Sequence, residues 1–219
     1  ILAGMRHAYS VAAVRAAEHS LLSQQNFDDE LMRLAARGVA ATATSMLDSG
    51  RHVTILAGPG GNGGDGLYAG AFLAEKGYSV EAILAADSTH DPALEAFTAA
   101  GGTIAHDLGN ADLLIDAVAG LASTRGLSGA PLRAYTEAKE RGVPVLAVDI
   151  PSGINADTGV AAADAVEAEV TISFGWARAG HIFATECGAV VLCDLRLPGA
   201  PRSFAEELSA TAEPVGYIA

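Results

Sequence analysis

Cysteine is nearly absent: Cys187 and Cys193 are the only two in 219 residues. They stand six apart in an apolar stretch that reads as a strand, where same-face residues at that spacing lie about 20 Å apart, far beyond disulfide reach. Both read as small core residues rather than a bridge or a redox pair. Positive charge is also scarce, with 13 Lys+Arg against 26 Asp+Glu and a formal net charge of −13. No Lys/Arg run offsets it, so a phosphate backbone is repelled and nucleic acid is excluded as a partner. Apolar runs such as Val143–Val148 and Ala189–Cys193 stop well short of the roughly 20 residues of a membrane span. The six histidines are scattered, with no His-Glu-x-x-His and no Cys/His ligand spacing, so nothing points to zinc. The start, Ile1-Leu-Ala-Gly-Met5, lacks the charged and apolar regions of a signal peptide. Met5 reads as a natural first residue with residues 1–4 a remnant ahead of it, and the expected compartment is the cytoplasm.

What is abundant is apolar surface. Half the residues are apolar and only 18% are charged, which means a chain that folds around a core. A length of 219 residues suits a single domain, able to bury roughly 70% of the unfolded chain's surface. Helical spacing of apolar residues predicts helices over Val11–Leu22 and Leu31–Leu47, with Ser10 and Asp28 or Asp29 as N-caps. Strands are expected at Val53–Leu56, Ser79–Leu84, Thr103-Ile104, Leu113–Ile115, Val145–Ile150, Val170–Phe174 and Val190–Leu195. Between them, Leu67–Lys76, Pro92–Ala100 and Pro131–Arg141 read as helices. This β-α-β order predicts one α/β domain over residues 1–219, with a mostly parallel sheet, helices on both faces and an N-terminal helical extension.

The segment Gly58-Pro-Gly60-Gly-Asn62-Gly63-Gly64-Asp65 follows a predicted strand and opens a helix. Gly58, Gly60 and Gly63 fit G-x-G-x-x-G, whose glycines let backbone approach a pyrophosphate at a helix N-terminus. The blander reading is a tight turn that needs glycine for conformational reasons alone. There is no Walker Gly-Lys-Ser/Thr, so phosphoryl transfer is not indicated. Asp65 reads either as a cap of that helix or as a group facing the reacting part of a ligand or a cation. Asp116 and Asp149 close two further apolar runs in the same way, and Ser152 follows Asp149. In a parallel sheet all strand C-termini share one edge, so Asn62, Asp65, Asp116, Asp149 and Ser152 should converge there. Such oxygen donors suit a hard cation, and crowded carboxylates suit acid/base work. Gly-x-Ser-x-Gly is absent, and nucleophilic catalysis has little support.

Taken together, Ala57-Gly-Pro-Gly-Gly-Asn-Gly-Gly-Asp-Gly66, Leu114-Ile-Asp-Ala-Val-Ala-Gly120, Val148-Asp-Ile-Pro-Ser-Gly-Ile-Asn-Ala-Asp-Thr-Gly159 and Thr171-Ile-Ser-Phe-Gly175 resemble the YjeF N-terminal family, the NAD(P)H-hydrate epimerases. Tyr9–Glu18 and Leu31–Ala36 resemble its two N-terminal helices. The resemblance implies a Rossmann-like three-layer domain, usually a homodimer, that interconverts the R and S forms of hydrated NADH and NADPH, with a potassium ion (K+) beside the substrate. It assigns Asn62, Asp116 and Ser152 to the potassium. It assigns Gly61, Asn62, Gly63, Gly64, Asp65, Asp149 and the run Gly120, Leu121, Ala122, Ser123, Thr124, Arg125 and Gly126 to the substrate. Asp149 is expected to be the acid/base group with Asp65 in support, while the glycine loops and Arg125, with Arg178 as a further cation, hold the pyrophosphate. A separate or fused nucleotide-dependent dehydratase is the implied partner.

Three departures from the family pattern stand out. Gly61 replaces the first Asn of Asn-Asn-Gly-Gly-Asp, Arg178 replaces a frequent Lys, and the stretch Ile182–Gly188 is shorter than usual. Two other readings compete with the epimerase. An NAD-dependent oxidoreductase would need an acidic residue at the end of the second strand, where Glu81 falls early and Asp87 late. A non-catalytic binding or scaffold domain would be expected to lose the polar site residues, which here are present.

Overall fold

The computed structural model describes residues 6–121 and 124–218. Its elements run β1 (Arg6–Tyr9), α1 (Val11–Leu22), α2 (Glu30–Met46), β2 (His52–Ala57), α3 (Gly61–Glu75), β3 (Ser79–Leu84), α4 (Asp91–Ala99), β4 (Thr103–Ile104) and β5 (Leu113–Ala117). They continue with α5 (Gly129–Arg141), β6 (Val145–Val148), β7 (Val170–Phe174), β8 (Ala177–Arg178), α6 (Gly180–Phe183), β9 (Ala189–Cys193), α7 (Phe204–Thr211) and β10 (Gly216–Ile218).

Seven strands form one sheet in the order β4-β3-β2-β5-β6-β7-β9, and every neighbouring pair is parallel. Alternation along the central strands divides the core into two layers. Ile55, Ile115, Leu146 and Ile172 pack with α1, α2, α3 and α7, whereas Leu56, Ile83, Leu114 and Ala147 pack with α5 on the opposite face. The predicted three-layer Rossmann-like α/β architecture is therefore observed. The chain moves outward from β2 in both directions, to β3 on one side and β5 on the other. That reversal opens a crevice at the C-terminal ends of β2 and β5, where such sheets take their ligands.

The loop after β2 depends on glycine because backbone passes within contact of backbone. A Cβ on Gly58 would lie 2.0 Å from the Val118 carbonyl oxygen, and one on Gly63 would lie 1.9 Å from the Gly58 carbonyl oxygen. Helix α3 starts at Gly61, six residues before the predicted Leu67. The difference has a physical reason: the four glycines hide the apolar period, while close packing of the first turn against Met32 and the β5 loop stabilises the helix anyway. Asp65 thus lies beyond the first turn and is no cap.

Other expectations were met or shifted. Ser10 caps α1, its hydroxyl accepting from the Ala13 amide at 3.3 Å. Asp29 precedes α2 but makes no capping bond. Its carboxylate instead accepts from the Tyr68 hydroxyl at 2.9 Å. The strand predicted to end at Ile150 stops at Val148. Cys187 sits in a 3-10 turn and Cys193 on β9, so they do not share a strand, and both are free thiols.

A second, three-stranded sheet, β10-β1-β8, was not predicted. Its strands are two to four residues long, too short for a periodicity to register. It anchors the segment after β7 beside the crevice. Among the described residues, no helix is long and apolar enough to cross a membrane.

Candidate active site

A cavity of about 580 Å³ opens at the switch point. One wall comes from the sheet edge: Gly60, Gly61, Asn62 and Asp65 from α3 and its loop, Val118–Leu121 after β5, and Asp149 after β6. The facing wall comes from α1 and α2 through Val14, Arg15, Glu18, Leu22 and Met32, and Phe174, Leu195 and Phe204 close the end.

Asp116 and Ser152 lie beneath the floor and meet Asn62 of the wall around the backbone of Ala119. Asp116 is fully buried on β5. Its carboxylate accepts from the Ser152 amide at 2.7 Å, the Ser152 hydroxyl at 2.7 Å and the Val118 amide at 3.2 Å. The Ser152 hydroxyl in turn accepts from the Ala119 amide at 3.0 Å. Asn62 donates its Nδ2 to the Ala119 carbonyl at 3.1 Å, leaving Oδ1 as an acceptor beside Gly120. Burial raises the Asp116 pKa, and these three neutral donors only partly oppose it. A lone buried carboxylate among neutral oxygens is the donor chemistry of a monovalent hard cation.

Asp149 is built differently. It directly follows β6 at φ +67°, a left-handed backbone for a residue that carries a Cβ. Its Oδ1 lies 2.6 Å from Nη2 of Arg178, which is only 2% exposed. Nη1 of that arginine donates to the Phe174 carbonyl at 3.0 Å and the Trp176 carbonyl at 2.7 Å. The arginine expected to reach a pyrophosphate is therefore consumed inside the protein, holding Asp149. Desolvation dominates at Asp65, and the negative charges of Asp149, Glu18 and Asp29 add to it, so its pKa is raised well above the usual carboxylate range. Asp65 accepts no hydrogen bond from a described residue. Glu18 is also raised, by desolvation first and Asp149 second, against the charges of Arg178 and Arg15.

The five polar residues expected at one edge are thus brought together, three in the cavity wall and two under it. Gly61, Gly120 and Leu121 line the cavity. Gly63 and Gly64 are buried within the first turn of α3, where the Gly64 amide donates to the Gly60 carbonyl at 3.1 Å. Gly126 packs against the Asp164 backbone, and Thr124 and Arg125 are exposed outside the cavity wall. Ala122 and Ser123 lie outside the described residues. Neither Glu81 nor Asp87 is among the cavity-lining residues, which removes the ribose-binding acid of the oxidoreductase reading.

Sequence reasoning missed Arg15, Glu18 and His181. The first two had a signal, since Val14, Glu18 and Leu22 repeat at helical spacing and present one face of α1. His181 had none, because only the tertiary fold brings it to Asp149.

Known proteins share both sequence and fold with this chain. Residues 28–180 match the family described as YjeF-related protein N-terminus. The bifunctional NAD(P)H-hydrate repair enzyme Nnr of Mycobacterium leprae (strain TN) is 42% identical over 201 residues, covering 88% of this chain and 42% of that protein. The chain therefore spans about two fifths of the length of that relative. An NAD(P)H-hydrate epimerase of Microbacterium testaceum (strain StLB037) is 40% identical over 187 residues, covering 80% of this chain and 72% of its own. The crystal structure of yeast ynu0 superimposes with a TM-score of 0.74 at 22% identity, covering 97% of this chain and 96% of that one, and so shares the fold. With the family profile spanning the glycine loop together with Asp65, Asp116 and Asp149, the chain belongs to the YjeF N-terminal family.

Proposed function

We propose that the protein is an NAD(P)H-hydrate epimerase. The observation that carries this reading is the pair of carboxyl groups in opposite environments within one dinucleotide-sized cavity: Asp149 clamped to Arg178, and Asp65 held toward its protonated form. Relatives named for this activity support it.

The reacting carbon, C6 of the hydrated nicotinamide ring, bears a hydroxyl and the ring nitrogen. Inversion requires either loss of that hydroxyl as water or opening of the C6–N bond to an aldehyde. The new bond then forms on the opposite face. In the first route Asp65 gives its proton to the departing oxygen, and Asp149 takes a proton from the water that re-adds. In the second, Asp149 removes the hydroxyl proton as the C6–N bond breaks, and Asp65 protonates the nitrogen. Both routes are redox-neutral: ring closure reverses the two proton transfers of the second route, whereas the first leaves its proton on Asp149, which must pass back to Asp65 through solvent before the next turnover. Backbone amides at the start of α3, offered by Gly61–Gly63, bind the anionic part of the ligand. Because the net charge is −13, such local donors must overcome an unfavourable long-range field.

Asn62, Asp116 and Ser152 would hold a potassium ion, which supplies a fixed positive charge under the substrate. A homodimer, a cytoplasmic location and a dehydratase partner, fused or separate, complete the proposal. The fused arrangement draws support from the bifunctional relatives.

The test is to incubate one enriched epimer of hydrated NADH with the protein and follow the R/S ratio by NMR or chiral chromatography. An S-specific dehydratase serves as the coupled readout. Accelerated equilibration without a change in redox state is expected. A ratio that relaxes only at its spontaneous rate overturns the assignment, and retained turnover in Asp149→Asn overturns the acid/base role of Asp149.

A further inference from the structure

His181 is 7% exposed and belongs to the short helix α6, outside the sheet edge that forms the site. Both ring nitrogens are engaged. The Arg178 amide donates to Nδ1 at 3.0 Å, and Nε2 lies 2.9 Å from the Asp149 carbonyl oxygen. An amide N–H can only donate and a carbonyl can only accept, so the proton must reside on Nε2. The ring is thus the Nε2–H tautomer with no capacity left for a second proton. Burial, and after it the Arg178 charge, hold its pKa down to about 3, against the opposing bond to Asp149.

The imidazole therefore joins the two backbone segments that carry the buried ion pair. On one side is Asp149, at φ +67° with its amide donating to the Ile172 carbonyl at 2.7 Å. On the other is Arg178, whose guanidinium meets the Asp149 carboxylate. A non-glycine residue stays left-handed only where its surroundings over-determine it. The Asp149 amide and carbonyl are pinned by Ile172 and His181, and its carboxylate by Arg178. Removing the Nε2–H donor leaves the 149–150 peptide held by the Ile150 amide on the Val148 carbonyl at 2.9 Å alone, and the carboxylate loses one of the restraints that fix its direction.

We propose that His181 is a positioning residue for Asp149, its imidazole bridging the Asp149 carbonyl and the Arg178 amide so that the carboxylate is aimed into the cavity. This rests on the reading of Asp149 as the acid/base group. A mere core histidine would contribute stability alone, and the two roles separate in experiment.

On the full protein, two variants each keep half of the bridge. His181→Gln can extend an N–H to the Asp149 carbonyl, and His181→Asn retains an acceptor for the Arg178 amide. With the Asp149 contact decisive, kcat for epimerisation falls by about 10²-fold in His181→Asn and markedly less in His181→Gln, with KM little changed in either. Equal kcat in the two variants and the parent, or losses that track only the folded fraction, overturn the proposal. Nitrogen-15 NMR of the parent imidazole supplies a readout independent of activity and of variant folding. It is expected to show the Nε2–H tautomer unchanged from pH 5 to 8. An Nδ1–H tautomer, or titration within that range, overturns it. Turnover retained by Asp149→Asn would instead remove the functional reading beneath it while leaving the imidazole spectrum as stated.

Discussion

Asp116 and Asp149 end neighbouring parallel strands, both are buried, and each contacts the segment that leads to Ser152 or beyond, yet they are opposite kinds of site. Asp116 keeps a regular strand backbone and is surrounded by neutral donors from Ser152 and Val118. Asp149 leaves its strand in a left-handed turn and is surrounded by an arginine and a histidine drawn from a distant segment. The first arrangement costs burial of a carboxyl group and satisfies it with three neutral hydrogen-bond donors. The second fixes a carboxylate's direction through tertiary contacts that a structural aspartate does not require. Position at a strand end therefore does not define the role, whereas the partners do.

The sharpest break in this comparison is the same substitution at both positions. Asp149→Asn is expected to lower epimerisation by about 10³-fold with a near-native circular dichroism spectrum. Asp116→Asn is expected to act first on stability, because its amide NH2 would face one of the Ser152 donors. The cost is about 1–3 kcal/mol in urea denaturation, and a rise in Tm on adding potassium should disappear with it. If Asp116→Asn instead matches Asp149→Asn in activity while keeping its stability and its potassium response, the division between the two carboxylates fails.

Asp65 sharpens the contrast through pH. Its folded pKa is raised, so its contribution to stability is complete below the unfolded value of about 3.9 and is lost as pH rises through the folded value. Asp65→Asn cannot ionise. Its Tm should exceed that of the parent by about 2–4 °C at pH 8 and equal it near pH 4, even as epimerisation is lost. His181 has the opposite sign, since its folded pKa of about 3 lies below the ordinary value of 6.5. Its stabilisation is complete above about pH 6.5 and is lost as pH falls toward 3, a dependence that denaturant midpoints should show in the parent and not in His181→Gln. The smallest effect is expected at Gly61, where a Cβ would meet only Met32 Cε at 3.9 Å. Gly61→Asn should shift stability by less than about 0.5 kcal/mol and alter KM rather than kcat, by offering the ligand one more side-chain contact.

Much of the architecture was legible along the chain. Strands Ser79–Leu84 and Val170–Phe174 and helix Val11–Leu22 were predicted to the residue, because apolar period and turn residues agree there. Helix α3 was misjudged where glycine conceals the period. The short sheet β10-β1-β8 was invisible because two-residue strands have no period to read. Within the site, Asp116 and Asp149 were found from runs that end on a carboxylate. Arg178 was noticed as a cation, but the direction of its side chain, inward to Asp149, could not be inferred from its position in the chain.

The sequence by itself determined the parallel α/β fold, the glycine loop, the strand-end carboxylates and the family, since these follow from local spacing and from the rule that strand C-termini share an edge. Only the tertiary structure decided that the carboxylates occupy unlike environments. The Arg178 ion pair and the His181 contact join residues 29 and 32 positions apart, and no local pattern encodes a contact made by folding one segment across another.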